Sequence, residues 1–190
     1  MDSRGLAAVA AFTALSVGSD YALSFFPNIP DAKLVDPLVF AVAFVYGLRV
    51  GAYAGVLSEL VWGTVNPLGF GGYIIPFLAG GEVIYAAAGW AASRAWGGRS
   101  SPASRSLYFG SLLALCAFVW DLETNAGTAL VAFWPGLTAA KLLATEALGI
   151  PFMVSHELSD FFTGAVITPV VIRYARRERP PALEAAPRGA

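Results

Sequence analysis

Charged residues are scarce in this chain. Only 13% of its 190 residues are Asp, Glu, Lys or Arg, while 57% are hydrophobic. A soluble domain carries about 25% charged residues, so too little polar surface is present to face water on every side. The composition therefore excludes an ordinary soluble domain and predicts an integral membrane protein. Because one span needs about 20 apolar residues, the length allows one domain of about six spans.

The chain has one cysteine and lacks several common catalytic motifs. The single cysteine, Cys116, excludes a disulfide within the chain, and its apolar neighbours predict a buried thiol. The sequence has no G-x-x-x-x-G-K phosphate loop, no H-E-x-x-H metal motif and no G-x-S-x-G nucleophile elbow. We therefore expect no enzyme activity, no cofactor and no metal site. Two other hypotheses stay open: a divalent ion held by His156 and carboxylates, and a lipid enzyme that uses carboxylates.

Hydropathy and loop signals predict an all-α integral membrane protein built as a six-helix bundle. Proline- and glycine-rich segments separate the apolar runs because they interrupt helices. The stretch between the fifth and sixth helices, up to Gly149, is predicted to contain a short helix lying on the membrane surface. The tail 178–190 is predicted to be disordered, which leaves 1–177 as one transmembrane domain. The predicted helices are 6–26, 34–47, 50–65, 73–96, 107–132 and 151–174.

Basic residues indicate the orientation of this bundle. All ten arginines fall on one side of the predicted topology, whereas Lys33 and Lys141 fall on the other. Lys and Arg are concentrated in cytoplasmic loops. We therefore predict a multi-pass protein of the cell membrane with both termini in the cytoplasm. The arginines are Arg4, Arg49, Arg94, Arg99, Arg105, Arg173, Arg176, Arg177, Arg179 and Arg188.

Carboxylates are concentrated on the opposite side. A charge at the centre of a spanning helix costs about 2.5–3.5 kcal/mol on insertion scales. Several such groups at similar depth are expected to face one another across a polar cavity that opens outward. The ten acidic residues of the outer half are Asp20, Asp31, Asp36, Glu59, Glu82, Asp121, Glu123, Glu146, Glu157 and Asp160.

The fifth and sixth helices carry polar side chains at helical spacing. Asp121 shares a helix face with Thr124 and Asn125, and His156 shares one with Asp160. Carboxylates and a tryptophan ring suit a small organic cation, through charge and cation–π attraction. A proton relay through the same groups is an open alternative. The predicted substrate-binding residues are Asn66, Glu82, Trp120, Asp121, Glu123, Thr124, Asn125, His156, Glu157 and Asp160.

Small residues recur at four-residue spacing in two places. Such patterns let membrane helices approach closely, either within the bundle or against another membrane protein. The two sets are Ala7, Ala10, Ala11 and Ala14 in the first helix, and Gly47, Gly51 and Gly55 around the start of the third.

Together these features resemble the substrate-binding S component of energy-coupling factor transporters, over about residues 5–177. The alanine-rich first helix, the proline-containing first outer loop and the Asn66-Pro67 loop carry the resemblance. So do the run from Phe44 to Gly55 and a last helix that contains His156, Asp160, Gly164 and Pro169.

The resemblance implies a function and partners. Family members have six helices with both termini inside, and they capture a vitamin or trace nutrient at an outward site. Their alanine pattern, matched here by Ala7, Ala10, Ala11 and Ala14, meets a transmembrane coupling subunit that works with two ATPase subunits. Members for cobalt or nickel have a histidine near the N-terminus, which this chain lacks. A cationic vitamin such as thiamine, or a precursor, fits the acidic outer half.

The sequence leaves two alternative functions open. The chain could be an accessory structural subunit of a larger membrane complex, or a stand-alone ion or proton pathway. In each case its surroundings are the lipid bilayer, and no nucleic acid partner is expected.

Overall fold

A computed structural model describes residues 1–25, 33–67, 69–95 and 101–177. These ranges contain six α-helices and no strand, which confirms the all-α prediction. A 3-10 turn at Gly72–Ile74 precedes the fourth helix. The helices are α1 Ser3–Leu23, α2 Val35–Tyr46, α3 Leu48–Val65, α4 Ile75–Ala95, α5 Pro102–Phe133 and α6 Ala139–Arg177. The predicted tail and Asp31, Arg99, Glu178, Arg179, Glu184 and Arg188 lie outside the described residues.

Three segments are long and apolar enough to cross a membrane: α1, the stretch Gly72–Ala95 and α5. The helix α2 is also apolar but has only 12 residues. Helices of this length and composition indicate a membrane protein.

The short helix α2 lies at the centre of the bundle. Every residue from Val35 to Val45 is buried, and α2 contacts each of the other five helices. This burial accounts for the nearly continuous apolar sequence of α2. The turn into α3 falls on Gly47, whose φ of 97° lies in the left-handed region that favours glycine.

The glycine pattern of α3 serves packing inside the bundle. A Cβ atom at Gly55 would lie 2.7 Å from the Cβ atom of Glu82 on α4, and one at Gly51 would collide with Ala43 on α2. These glycines therefore allow α3 to approach its neighbours closely. The four alanines of α1, in contrast, are exposed.

The helix α6 differs from the prediction. It is continuous over 39 residues and contains Pro151 and Pro169, so the separate surface helix predicted before Gly149 is wrong. Residues 139–148 are mostly strong helix formers, and they continue into α6 through Pro151. Gly149 packs against the Asn125 side chain of α5, which holds this part of α6 beside its neighbour.

Successive helices run antiparallel, so the described arginines gather at one end, here called the arginine end. Val9 of α1 packs with Val50 of α3, and Ile172 of α6 packs in the same core as Phe44 and Phe109. The start of α1, α3 and α5 therefore meets the end of α2, α4 and α6. The arginines there are Arg4, Arg49, Arg94, Arg105, Arg173, Arg176 and Arg177.

Candidate functional site

Each of the six helices contributes one buried carboxylate to the interior. Their residues are at most 5% exposed. We call this set the acidic cluster: Asp20 of α1, Asp36 of α2, Glu59 of α3, Glu82 of α4, Asp121 of α5 and Asp160 of α6. The cluster brings together residues that are far apart in the chain, and it lies away from the arginine end.

His156 is fully buried and connects three members of the acidic cluster. Its Nδ1 atom lies 3.1 Å from Oδ1 of Asp121. Its Nε2 atom lies 3.1 Å from Oδ2 of Asp36 and 4.0 Å from Oδ2 of Asp160. The imidazole therefore ties α2, α5 and α6 together at the centre of the bundle.

Two further hydrogen bonds fix the cluster to its surroundings. The Tyr85 hydroxyl donates to Oδ2 of Asp160 over 2.8 Å. Oδ1 of Asp20 accepts a hydrogen bond from the backbone N–H of Leu34 over 2.7 Å, which joins α1 to the residue before α2. These contacts hold two carboxylates in defined positions.

Trp120 forms the aromatic wall of the cluster. Its ring lies edge-on to that of His156, with centroids 5.3 Å apart. The Lys33 ammonium lies 3.9 Å from the centroid of the Trp120 ring. A cation–π contact at Trp120 therefore exists, and its cation is supplied by the chain itself.

The cluster holds more acidic groups than basic ones. Within the described part of the chain, Lys33 and His156 are the basic side chains beside six carboxylates. Buried charges need partners, because an uncompensated ion in an apolar interior is strongly unfavourable. Protons or a bound cation must balance the excess. Asp36 and Glu82 are close enough to share a proton in a hydrogen bond, whereas Asp121 Oδ2 and Asp160 Oδ1 have no hydrogen-bond partner among the described residues.

Five of the predicted site residues meet in this cluster and five lie outside it. Outside it, Asn125 donates to Oε2 of Glu146 over 3.2 Å, and Asn66 caps its own loop by donating to the carbonyls of Trp62 and Gly69. Glu123, Thr124 and Glu157 also lie outside the cluster and are half-buried. The predicted residues that meet at the cluster are Glu82, Trp120, Asp121, His156 and Asp160.

The sequence does not assign a site role to five residues that belong to the cluster or contact it. Three of them, Asp20, Asp36 and Glu59, are predicted only to lie in the acidic outer half. Tyr85 lies one turn after Glu82 on α4, a spacing that could have indicated it. Nothing local in the sequence indicates that Lys33 folds back onto Trp120.

The centre of the cluster has a geometry that can hold an ion. One ligand atom each from Asp36, His156 and Asp160 lies within 4.8 Å of the others, and all three residues are buried. Oxygen and imidazole nitrogen donors suit divalent cations. The same carboxylates, together with the Trp120 ring, suit an organic ammonium group.

No protein-family model matches this chain, and neither curated proteins nor solved structures gave a match. Its function is therefore inferred from the geometry of the acidic cluster.

Proposed function

We propose that this chain is the substrate-capture subunit of a micronutrient uptake transporter. It spans the membrane six times with both termini in the cytoplasm, and it holds a small cationic ligand in the acidic cluster. An ATP-driven coupling module with two ATPase subunits then drives release to the inside.

The observation that carries this proposal is the acid excess in the interior. Ionisable residues within membrane helices are costly to insert and mark ligand or ion sites by default. Here one carboxylate comes from every helix, and several of their oxygens have no hydrogen-bond partner in the described ranges. A purely structural network would pair these oxygens, because a buried polar atom without a partner costs about 1–3 kcal/mol.

Lys33 supports the choice of an ammonium ligand. Its side chain lies over the Trp120 ring at 3.9 Å, so the site already accommodates an alkylammonium group. Lys33 precedes α2 and is half-buried, which lets its side chain leave without disturbing a helix. The ligand takes the place of this ammonium and neutralises the same carboxylates.

Thermal unfolding of the detergent-purified, chelator-treated protein tests the ligand class. A ligand at a hundredfold excess over its Kd stabilises the fold by about 2.7 kcal/mol. We expect one member of a panel of organic ammonium compounds to raise the Tm, and its uncharged analogue to have no effect. Trp120→Leu and Asp160→Asn should reduce the shift.

The matched control is Glu146→Gln, which changes a half-buried carboxylate of the same helix that pairs with Asn125 outside the cluster. It should keep the wild-type shift. Equal shifts with charged and uncharged analogues, or none from a folded protein across the panel, would contradict a cationic ligand.

The exposed alanines of α1 support the coupling partner. Beside them lies a groove of about 350 Å³ between α1 and α3, which is mostly apolar; it is lined by Leu6, Val9, Ala10, Thr13, Ala14, Val17, Leu57 and Val61. Close helix packing in lipid needs small residues at the contact. We expect Ala14→Leu to abolish uptake in cells that contain the coupling module while ligand binding by the purified chain is unchanged. Loss of both would point to misfolding instead.

A proton pathway is the second candidate, favoured by the position of His156 between Asp36 and Asp121. An imidazole that contacts carboxylates through both nitrogens can relay protons. Proton flux into liposomes that contain only this chain would favour the pathway. The capture role predicts no such flux without the coupling subunits.

A further inference from the structure

We propose that Asp36, His156 and Asp160 form a binding site for one divalent first-row transition-metal ion. Asp121 and Tyr85 are positioning residues that hold two of the ligands. The site requires only the geometry of the acidic cluster, so it stands whether or not the chain works in uptake.

The three ligand side chains are close to the spacing that a metal requires. Metal–ligand bonds of about 2.0–2.2 Å place neighbouring ligand atoms about 3.0–3.4 Å apart. The Nε2 atom of His156 lies 3.1 Å from Oδ2 of Asp36 and 4.0 Å from Oδ2 of Asp160. All three ligand atoms lie within 4.8 Å of one another, so an inward rotation of the Asp160 side chain would complete the coordination.

Asp121 orients the imidazole for this role. It contacts Nδ1 over 3.1 Å; when Nδ1 carries the proton and donates to Asp121, the ring presents Nε2 to Asp36 and Asp160, and the metal ion takes the place of any proton on Nε2. A carboxylate on the far nitrogen of a histidine ligand is the usual arrangement at metal sites, where it fixes the tautomer and the ring plane. Tyr85 does the same for Asp160 by donating to Oδ2 over 2.8 Å.

Free acceptor atoms at the site are independent support for a ligand. Oδ1 of Asp160 and Oδ2 of Asp121 are buried and have no hydrogen-bond partner within the described ranges. Glu82 is also buried, and it lies within hydrogen-bonding distance of the ligand Asp36. The free Asp160 oxygen and the Glu82 carboxylate offer further coordination positions around the same point.

The donor set determines the class of ion. One imidazole nitrogen with carboxylate oxygens and no thiolate suits Zn²⁺, Mn²⁺, Fe²⁺, Co²⁺ or Ni²⁺. Ca²⁺ and Mg²⁺ prefer oxygen ligands alone, so they should bind more weakly.

Metal binding to the full-length, chelator-stripped protein in detergent tests the site. After dialysis against Co²⁺ or Zn²⁺, we expect one ion per chain by elemental analysis. The visible spectrum of bound Co²⁺ should disappear when Zn²⁺ is added. Asp36→Asn and His156→Gln should lose the ion. Asp121→Asn and Tyr85→Phe should keep the stoichiometry but bind 10–100-fold more weakly, as expected for residues that orient a ligand.

Glu146→Gln is the control, because this half-buried carboxylate of α6 pairs with Asn125 outside the site, and it should bind as the wild type does. A folded wild-type protein that retains no ion, or His156→Gln and Asp36→Asn with wild-type affinity, would overturn the site. If either variant fails to fold, the Co²⁺ spectrum of the wild type decides, because nitrogen ligation changes it from that of the hydrated ion.

The result can be separated from the proposed function. If an organic ammonium compound stabilises the chelator-treated protein and no metal is retained, the metal site is refuted and the proposed function is not. A stoichiometric metal ion with no response to organic cations would leave the metal site intact and refute the organic ligand.

Discussion

The acidic cluster and the arginine end differ in how their charged side chains are surrounded. In the cluster, six carboxylates from six different helices are at most 5% exposed, and three of them lie within 4.0 Å of His156. At the arginine end, Arg173, Arg176 and Arg177 are exposed. Arg176 and Arg177 also lie over the rings of Phe44 and Tyr174, at 5.0 and 5.6 Å.

This difference indicates where replacing a charged side chain should change stability. Exposed guanidinium groups are compensated by solvent, so each can change at little cost. A buried carboxylate depends on a few neighbours, and losing one neighbour leaves an uncompensated charge. Substitutions in the cluster should therefore affect stability or binding strongly, whereas those at the arginine end should not.

The largest effect is expected for His156→Leu. Removal of the imidazole leaves Asp36 and Asp121 facing each other without a partner, which should cost about 3–5 kcal/mol in unfolding free energy. Denaturant titration of the purified protein measures this loss. Ser155→Ala is the neighbouring control, because its hydroxyl donates to the Phe152 carbonyl of its own helix. Equal small losses in both variants would contradict a charge-dependent core.

A pair of adjacent glycines on α4 sharpens the contrast between buried and exposed positions. A Cβ at Gly81 would collide with the Trp120 side chain and lie 3.0 Å from Oε2 of Glu123. Gly81→Ala should therefore cost about 1–3 kcal/mol and weaken cation binding. At the exposed Gly80 the nearest atom would be 3.7 Å away, so Gly80→Ala should stabilise the helix by about 0.5–1 kcal/mol. Thermal unfolding of both variants gives the comparison, and shifts of the same sign would refute it.

Lys33→Met tests whether the chain's own ammonium competes with the ligand. Loss of the contact with Trp120 should cost about 0.5–2 kcal/mol of stability. The same variant should bind an organic cation more tightly, because the ligand no longer displaces an internal cation. Titration of wild type and variant with the same compound checks this. Weaker binding by the variant would mean that Lys33 helps to hold the ligand.

The smallest effect is expected at the arginine end. Arg173 is exposed and lines a cavity of about 290 Å³ with other arginines. Arg173→Gln should change the unfolding free energy by less than about 0.5 kcal/mol and leave ligand binding unchanged. A loss as large as that of His156→Leu would remove the distinction between the two regions.

Much of this contrast could be predicted from sequence. Low charge content and apolar runs identified the helices, and the asymmetry of the arginines indicated one basic end. Helical spacing also selected His156, Asp160 and Asp121, which the structure brings together. The helices and the basic end could be predicted because each depends on local periodicity or on composition.

Other features depend on tertiary contacts and could not be predicted. Nothing near Asp36 indicates that α2 lies at the centre of the bundle and directs this carboxylate to His156. The contact of Lys33 with Trp120 joins residues from distant parts of the chain. Pro151 was expected to begin a helix, yet α6 continues through it, because one proline removes a single backbone hydrogen bond and the helix-forming residues before it favour continuation.

The central claim is that the cluster is arranged for a cation at the expense of stability, and Glu82→Gln tests it most directly. Glu82 is fully buried and its charge is repelled by those of Asp36 and Glu59, so removing the charge should relieve repulsion. Thermal unfolding would be measured for wild type and variant, each with and without a saturating cation. We predict a higher Tm for the ligand-free variant together with a smaller ligand-induced shift. A lower ligand-free Tm with the full wild-type shift would show that Glu82 stabilises the fold and takes no part in binding.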